Sequence, residues 1–155
     1  MKNISPQFLP VLLADDDMDD RMLFSDAISD LKLPVDLQLV KDGAELMDYL
    51  LTSAMIMPEI LFLDLNMPRK NGFECLAEIK NHPILKEIFI IIYSTTESEK
   101  EIDDVFEQQA NLFIKKPNSF TELKNILSHV LALDLKKQFS NQTKEQFIFQ
   151  IKSLD

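Results

Sequence analysis

One cysteine, two glycines, two histidines and no tryptophan occur among the 155 residues of this chain, and 16 basic residues face 26 acids. Each scarcity excludes something. Cys75 alone can form no intramolecular disulfide, and its neighbours Phe73, Leu76 and Ala77 mark it as a buried structural thiol. His82 and His129 stand apart with no partner at a metal-ligand spacing, and both read as surface residues. A net charge of −10 opposes a nucleic-acid surface, which needs a basic stripe. It is compatible with Mg²⁺ or a basic partner, although acidity of this size also serves solubility alone. The longest apolar run, Ile88 to Tyr93, is far too short to span a bilayer, and Met1 to Pro6 has no apolar core of a secretion signal. A cytoplasmic protein with no membrane insertion and no nucleic-acid partner is expected.

What is present is an alternation. An apolar fraction of 46% over this length fits one globular domain. Short apolar runs predict strands near 9–14, 35–40, 60–64, 88–94 and 112–115, the central ones buried on both faces. Amphipathic stretches lie between them. Leu23, Ala27 and Leu31 share one helical face, with Asp19 as the expected N-cap and Pro34 at the exit. Further helices are predicted from Gly43 (Met47, Leu50, Leu51), after Gly72 (Phe73, Leu76, Ala77, Ile79), from Glu97 to Lys100 onward (Ile102, Val105, Phe106) and from Phe120 (Leu123, Ile126, Leu127, Val130, Leu131). With few glycines available, Asn111 is the expected left-handed residue before the fifth strand. Strands alternating with helices mean right-handed βαβ units and a parallel sheet. Composition shifts after Leu133. Residues 1–133 hold 23 acids and 12 basic residues, whereas residues 134–155 hold three acids and four lysines. A domain over 1–133 is therefore expected, with 134–155 as an extension: a continuation of the fifth helix plus one short element. Phe139, Phe147, Ile148, Phe149 and Ile151 want burial against the body or a partner. The extension is too short for an independent effector domain.

The chemistry gathers where the strands end. Asp15 and Asp16 follow the first strand, Asp64 the third, Tyr93-Ser94-Thr95 closes the fourth, and Lys115-Lys116-Pro117 closes the fifth. Open α/β sheets place their ligands at this edge. A carboxylate leaving water there needs a partner. Two strands delivering carboxylates make a hard-cation site, and Mg²⁺ needs only two of them plus a carbonyl and water. Asp64 is the candidate nucleophile. A serine hydroxyl and a lysine ammonium can take the remaining oxygens of an incoming phosphoryl group. The set suits phosphoryl transfer to a carboxylate.

In these motifs the chain resembles the receiver domains of two-component response regulators over about residues 1–133. Val11-Leu12-Leu13-Ala14-Asp15-Asp16-Asp17 resembles the family's acidic doublet, and Leu63-Asp64-Leu65-Asn66-Met67-Pro68 with Gly72 its phosphoacceptor segment. Ile91-Ile92-Tyr93-Ser94-Thr95 is similar to its hydroxyl position, and Ile114-Lys115-Lys116-Pro117 to its Lys-Pro segment. Leu65 to Gly72, and Asn81-His82-Pro83, are worded most like single-domain receivers that partner phytochrome-type kinases. The resemblance implies a flavodoxin-like doubly wound fold, five parallel strands in order 2-1-3-4-5 with helices on both faces. It implies that Asp64 accepts phosphate from a sensor histidine kinase or phosphotransfer protein. Mg²⁺ would be bound by Asp16, Asp64 and the Asn66 backbone carbonyl, with Asp15 acting through water. Ser94 and Lys116 would hold the phosphoryl group, Lys116-Pro117 would be cis, and Phe113 would be the switch aromatic. It further implies a stoichiometric phosphoacceptor and not an enzyme, signalling by partner choice or by pairing with a second copy through helix four, strand five and helix five.

Blander readings stand beside these. Asp19 and Asp20 read as a solvated, helix-capping acidic turn, and Lys115 as solvated because it points away from its neighbour on an extended strand. Two other functions compete: a non-phosphorylated receiver-like interaction module, which would usually lose an acid or the lysine, and a Mg²⁺-dependent aspartyl-phosphate hydrolase. The latter wants an acid two residues after the nucleophile, where this chain has Asn66.

Overall fold

The apolar runs become five strands of one sheet in a computed structural model that describes residues 8–53, 56–133 and 143–150. The strands are β1 (Leu9–Ala14), β2 (Val35–Val40), β3 (Ile60–Leu63), β4 (Phe89–Ser94) and β5 (Leu112–Lys115). All pairs are parallel and the order is β2-β1-β3-β4-β5. β3 and β4 are buried at every position, as continuous apolar runs between two helical layers must be. The edge strand β2 alternates instead. Register aligns the C-terminal ends: Ala14 pairs Val40 and Leu63, Leu63 pairs Ile92, and Ser94 pairs Lys115.

Helices α1 (Met18–Leu31), α2 (Gly43–Asp48), α3 (Gly72–Lys80), α4 (Glu99–Glu107) and α5 (Phe120–Leu131) cover the two faces. Phe24, Ala27, Leu123 and Leu127 of α1 and α5 pack on Val11, Leu13, Phe62 and Ile91. Leu46, Leu76, Ile102 and Val105 of α2, α3 and α4 pack on Leu12, Leu63, Ile90 and Ile92 from the other side. Alternate residues of each strand therefore feed separate cores, as the two-residue period requires. Below the strand ends, Phe24, Phe62 and Tyr93 meet edge to face with centroids 4.9, 5.6 and 6.2 Å apart. That trio ties α1 to β3 and β4. Cys75 is buried with Sγ 3.6 Å from the Gly43 carbonyl, and burial pushes its thiol up to about 11.

Three local expectations change. The N-cap of α1 is Asp17, whose extended backbone lets its carboxylate accept from Asp20 N at 3.1 Å; Asp19 lies in the first turn. α2 gives way to a π turn over Tyr49–Ser53, so Leu50 is buried while Leu51 faces out. Gln109, not Asn111, takes the left-handed conformation (φ 71°), because α4 ends at Glu107. Asn111 instead accepts from Ile90 N at 2.7 Å through its side chain, joining β4 to the start of β5. α5 ends at Leu131 with Ala132 as its cap, and the continuation expected beyond Leu133 falls on residues 134–142, outside the described ones. A further single-turn helix, α6 (Lys144–Phe147), lies against the body beside α4 and β5.

Gly72 sits hard against the backbone that follows β3. Its amide donates to the Leu65 carbonyl at 2.9 Å, and a Cβ there would lie 2.2 Å from the Asp64 carbonyl oxygen. Backbone cannot yield as a side-chain tip can. Gly72→Ala is expected to lower unfolding stability by about 1–3 kcal/mol, read by urea denaturation. An unchanged midpoint would mean that the turn after β3 adapts freely.

Candidate functional site

Each strand end brings its residue to one edge of the sheet. Asp15, one residue beyond β1, is wholly buried and Asp64, one beyond β3, is 6% exposed, while Asp16 faces solvent. Carboxylate oxygens from all three lie within 4.8 Å of one another. Lys116, one residue beyond β5, reaches into this group. Its Nζ stands 2.8 Å from Asp15 Oδ2, 2.8 Å from Asp20 Oδ2 and 3.3 Å from Asp64 Oδ2. The Lys116 amide donates to the Ser94 carbonyl at 2.9 Å, and its ammonium lies 5.5 Å from the Tyr93 ring centroid.

The contacts of Asp15 are informative. Its Oδ1 accepts from Asp17 N at 3.0 Å, and its carbonyl accepts from Arg21 Nη1 at 2.8 Å. Oδ2 is in ion-pair contact with Lys116, yet it is buried with no donor aligned to form a hydrogen bond. An acceptor left in that state, beside two more carboxylates, suits a divalent cation with oxygen ligands.

Ser94 is buried, and its Oγ accepts from Thr96 N at 3.1 Å. Asn66, two residues past Asp64, is exposed. Lys115 faces solvent and pairs with Glu97, as its place on an extended strand requires. The Lys116–Pro117 bond is trans, where the resemblance implies cis; trans is the lower-energy isomer of such a bond. Asp20 corrects a second expectation. It belongs to the charge cluster and not to a solvated turn, because the first turn of α1 swings it back over the sheet edge to Lys116. Its place three residues after the Asp17 cap is the only sequence signal that could have found it.

Burial dominates the electrostatics. It pushes the Asp64 carboxyl up to about 6, with Lys116 opposing the rise and Asp15 adding to it. Burial likewise raises Asp15 above the usual range, against the pull of Lys116. Burial also disfavours the charge on Lys116, but the carboxylates of Asp15, Asp20 and Asp64 around it outweigh that and hold the ammonium above its ordinary value. A carboxyl whose folded pKa exceeds its unfolded value of 3.8 destabilises the fold once ionised; that cost is absent below 3.8 and complete above about 6. In chelator, Asp64→Asn is therefore expected to raise the melting temperature by roughly 2–4 °C at pH 7.5, for a gain on the order of 1 kcal/mol. The gain should shrink towards pH 4.5. A loss of stability at pH 7.5 would show Asp64 to be a stabilising partner of Lys116.

The model of the response regulator receiver domain family matches residues 11–128. Rcp1, a response regulator of Synechocystis sp., is 29% identical over 117 residues, covering 73% of this chain and 80% of its own length. The phosphorylated cyanobacterial phytochrome response regulator RcpA superposes with a TM-score of 0.74 at 31% identity, over 80% of this chain and 91% of that one. The Mn²⁺-bound form of Rcp1 gives 0.73 at 25% identity, over 87% and 97%. With the five-stranded order, the acidic edge and the lysine facing it, these likenesses agree, and the chain belongs to the response regulator receiver family.

Proposed function

We propose that this protein is a response regulator similar to the cyanobacterial phytochrome regulators, with a receiver over 1–133 and an extension over 134–155, that takes a phosphoryl group on Asp64 in the presence of Mg²⁺. One observation carries the reading: a single ammonium, Lys116, faces Asp64 and two further carboxylates in a pocket where a buried Asp15 oxygen has no aligned donor. The donor set is all oxygen and fits a hard cation. Asp16, Asp64 and the Asn66 carbonyl would hold Mg²⁺, with Asp15 acting through water; the ion supplies neutralisation of the phosphoryl charge.

The residues of the chain do the rest. An Asp64 oxygen attacks phosphorus of a phosphohistidine on a sensor kinase or phosphotransfer protein; the P–O bond forms as the P–N bond breaks, and the imidazole leaves. Lys116 is held where a phosphoryl oxygen on Asp64 would arrive, and can exchange Asp20 for it. Ser94 can turn its hydroxyl from the Thr96 amide to another phosphoryl oxygen, and Phe113 can follow the space this vacates. Output then passes through the face of α4, β5 and α5, to a partner or to a second copy. The chain is a stoichiometric acceptor acting in the cytoplasm and not a turnover enzyme. Of the described helices none is long and apolar enough to cross a membrane. The hydrolase reading is disfavoured by the amide at position 66, and the inert module by the intact acids and lysine.

Incubation with acetyl phosphate and Mg²⁺, followed by intact mass, tests this. One phosphoryl group per chain is expected, none in Asp64→Asn, and at least tenfold less in Lys116→Ala. Rapid catalytic release of phosphate would indicate the hydrolase, and no labelling the inert module.

A further inference from the structure

The described segment that begins at Thr143 is seated on the same face that the output reading uses. α6 is a single turn defined by a capping box between Thr143 and Gln146. It delivers Phe147, completely buried, between Phe106 of α4 and Phe113 of β5, with ring centroids 5.1 and 6.4 Å away. The chain then runs extended past β5. Ile148 bridges Phe113 in parallel, and Phe149 N donates to the Phe113 carbonyl at 2.8 Å. Ile148 joins the core under α4 while Phe149 joins the core under α5, so the segment straddles the free edge of β5. Lys144 pairs with Asp103 on α4, a helix carrying Glu99, Glu101, Asp104 and Glu107 as well. Aromatic anchor, edge-strand bonds and opposite charge make this a specific dock on Phe113, itself 2% exposed.

Phe113 is the residue through which the phosphorylation reading moves this face, and Phe147 occupies its outer side. A turn of Phe113 towards Ser94 would withdraw the ring against which Phe147 packs. We propose that residues 143–150 are a cis-acting cap on the face between α4 and β5, released when Asp64 is phosphorylated, and that the partner admitted there presents the same chemistry. That partner would carry a basic residue, an aromatic one helical turn later, and a short strand for the β5 edge. The proposal rests on the reading of Asp64 as phosphoacceptor and adds an occupant to the surface that reading left open. Linkage makes the coupling reciprocal: whatever loosens the cap must tighten binding of a phosphoryl mimic.

Amide exchange on the full chain, with Mg²⁺ and with or without beryllofluoride, is the test, accompanied by a beryllofluoride titration. The Phe149 amide should lose protection on addition of beryllofluoride. Phe147→Ala should lose that protection without it and bind beryllofluoride about fivefold tighter or more. Lys144→Glu, which keeps the aromatic anchor but sets like charges against α4, should act in the same direction with a smaller gain. If beryllofluoride fails to bind the parent at all, the Asp64 reading falls and the coupling with it. If it binds with unchanged Phe149 protection and equal affinity in both variants, Asp64 stands and the cap proposal is overturned. Protection of Phe149 that appears only as protein concentration rises would assign the docked segment to a second copy and overturn the cis assignment.

Discussion

An ammonium group set among carboxylates from β1, α1 and β3 is the contact on which the rest of the molecule turns. Parallel strands of a doubly wound sheet end together, so acids placed after β1 and β3 are forced into one pocket. Burying Asp15 and Asp64 there would be prohibitive without a cation. Lys116 supplies it from β5, two strands away from β3, and in doing so ties the ends of the sheet to α1 through Asp20. Yet one lysine cannot balance Asp15, Asp16, Asp20 and Asp64. The remaining charge, in a pocket whose burial already raises the Asp15 and Asp64 carboxyls, is what a divalent ion and a phosphoryl group would reorganise.

Rigidity below the edge gives the site its precision. The trio of Phe24, Phe62 and Tyr93 fixes α1 against the strands that deliver Asp64 and Ser94, and Gly72 lets α3 start directly under the Asp64 backbone. From there the site connects outward along β4 and β5. Ser94 pairs Lys115 in register, Ile92 pairs Phe113, and the Lys116 amide is bonded to Ser94. A change at Asp64 is thus two strands away from the face where Phe147 sits.

Much of this was legible in the residues. Apolar runs of four to six residues ended by acids, hydroxyls or lysine marked the strands, and the observed bounds fall within a residue of those expected. Asp15, Asp16, Asp64 and Lys116 were legible only as a set: each alone reads as readily as a solvated turn or a surface group, but all fall at the C-terminal ends of strands. What stayed hidden depended on side-chain direction over short distances. Whether Asp17 or Asp19 caps α1 depends on a single backbone conformation, and Asp20 reaches Lys116 across 96 positions of sequence. Asn111 tolerates the left-handed conformation, but its side-chain amide oxygen is used across strands instead. The aromatic residues after Leu133 announced burial without saying where, since no periodicity names the surface a lone Phe147 will fill.

The central claim is that the acidic edge is a metal and phosphoryl site in which Lys116 changes partner. Crystals grown with Mn²⁺ and beryllofluoride would test it most directly, through the anomalous signal of manganese. The account predicts one manganese bound by Asp16 and Asp64, beryllofluoride on an Asp64 oxygen, and Lys116 Nζ withdrawn from Asp20 to a fluoride. Manganese bound elsewhere, with Lys116 still paired to Asp20 and Asp64 unmodified, would contradict it.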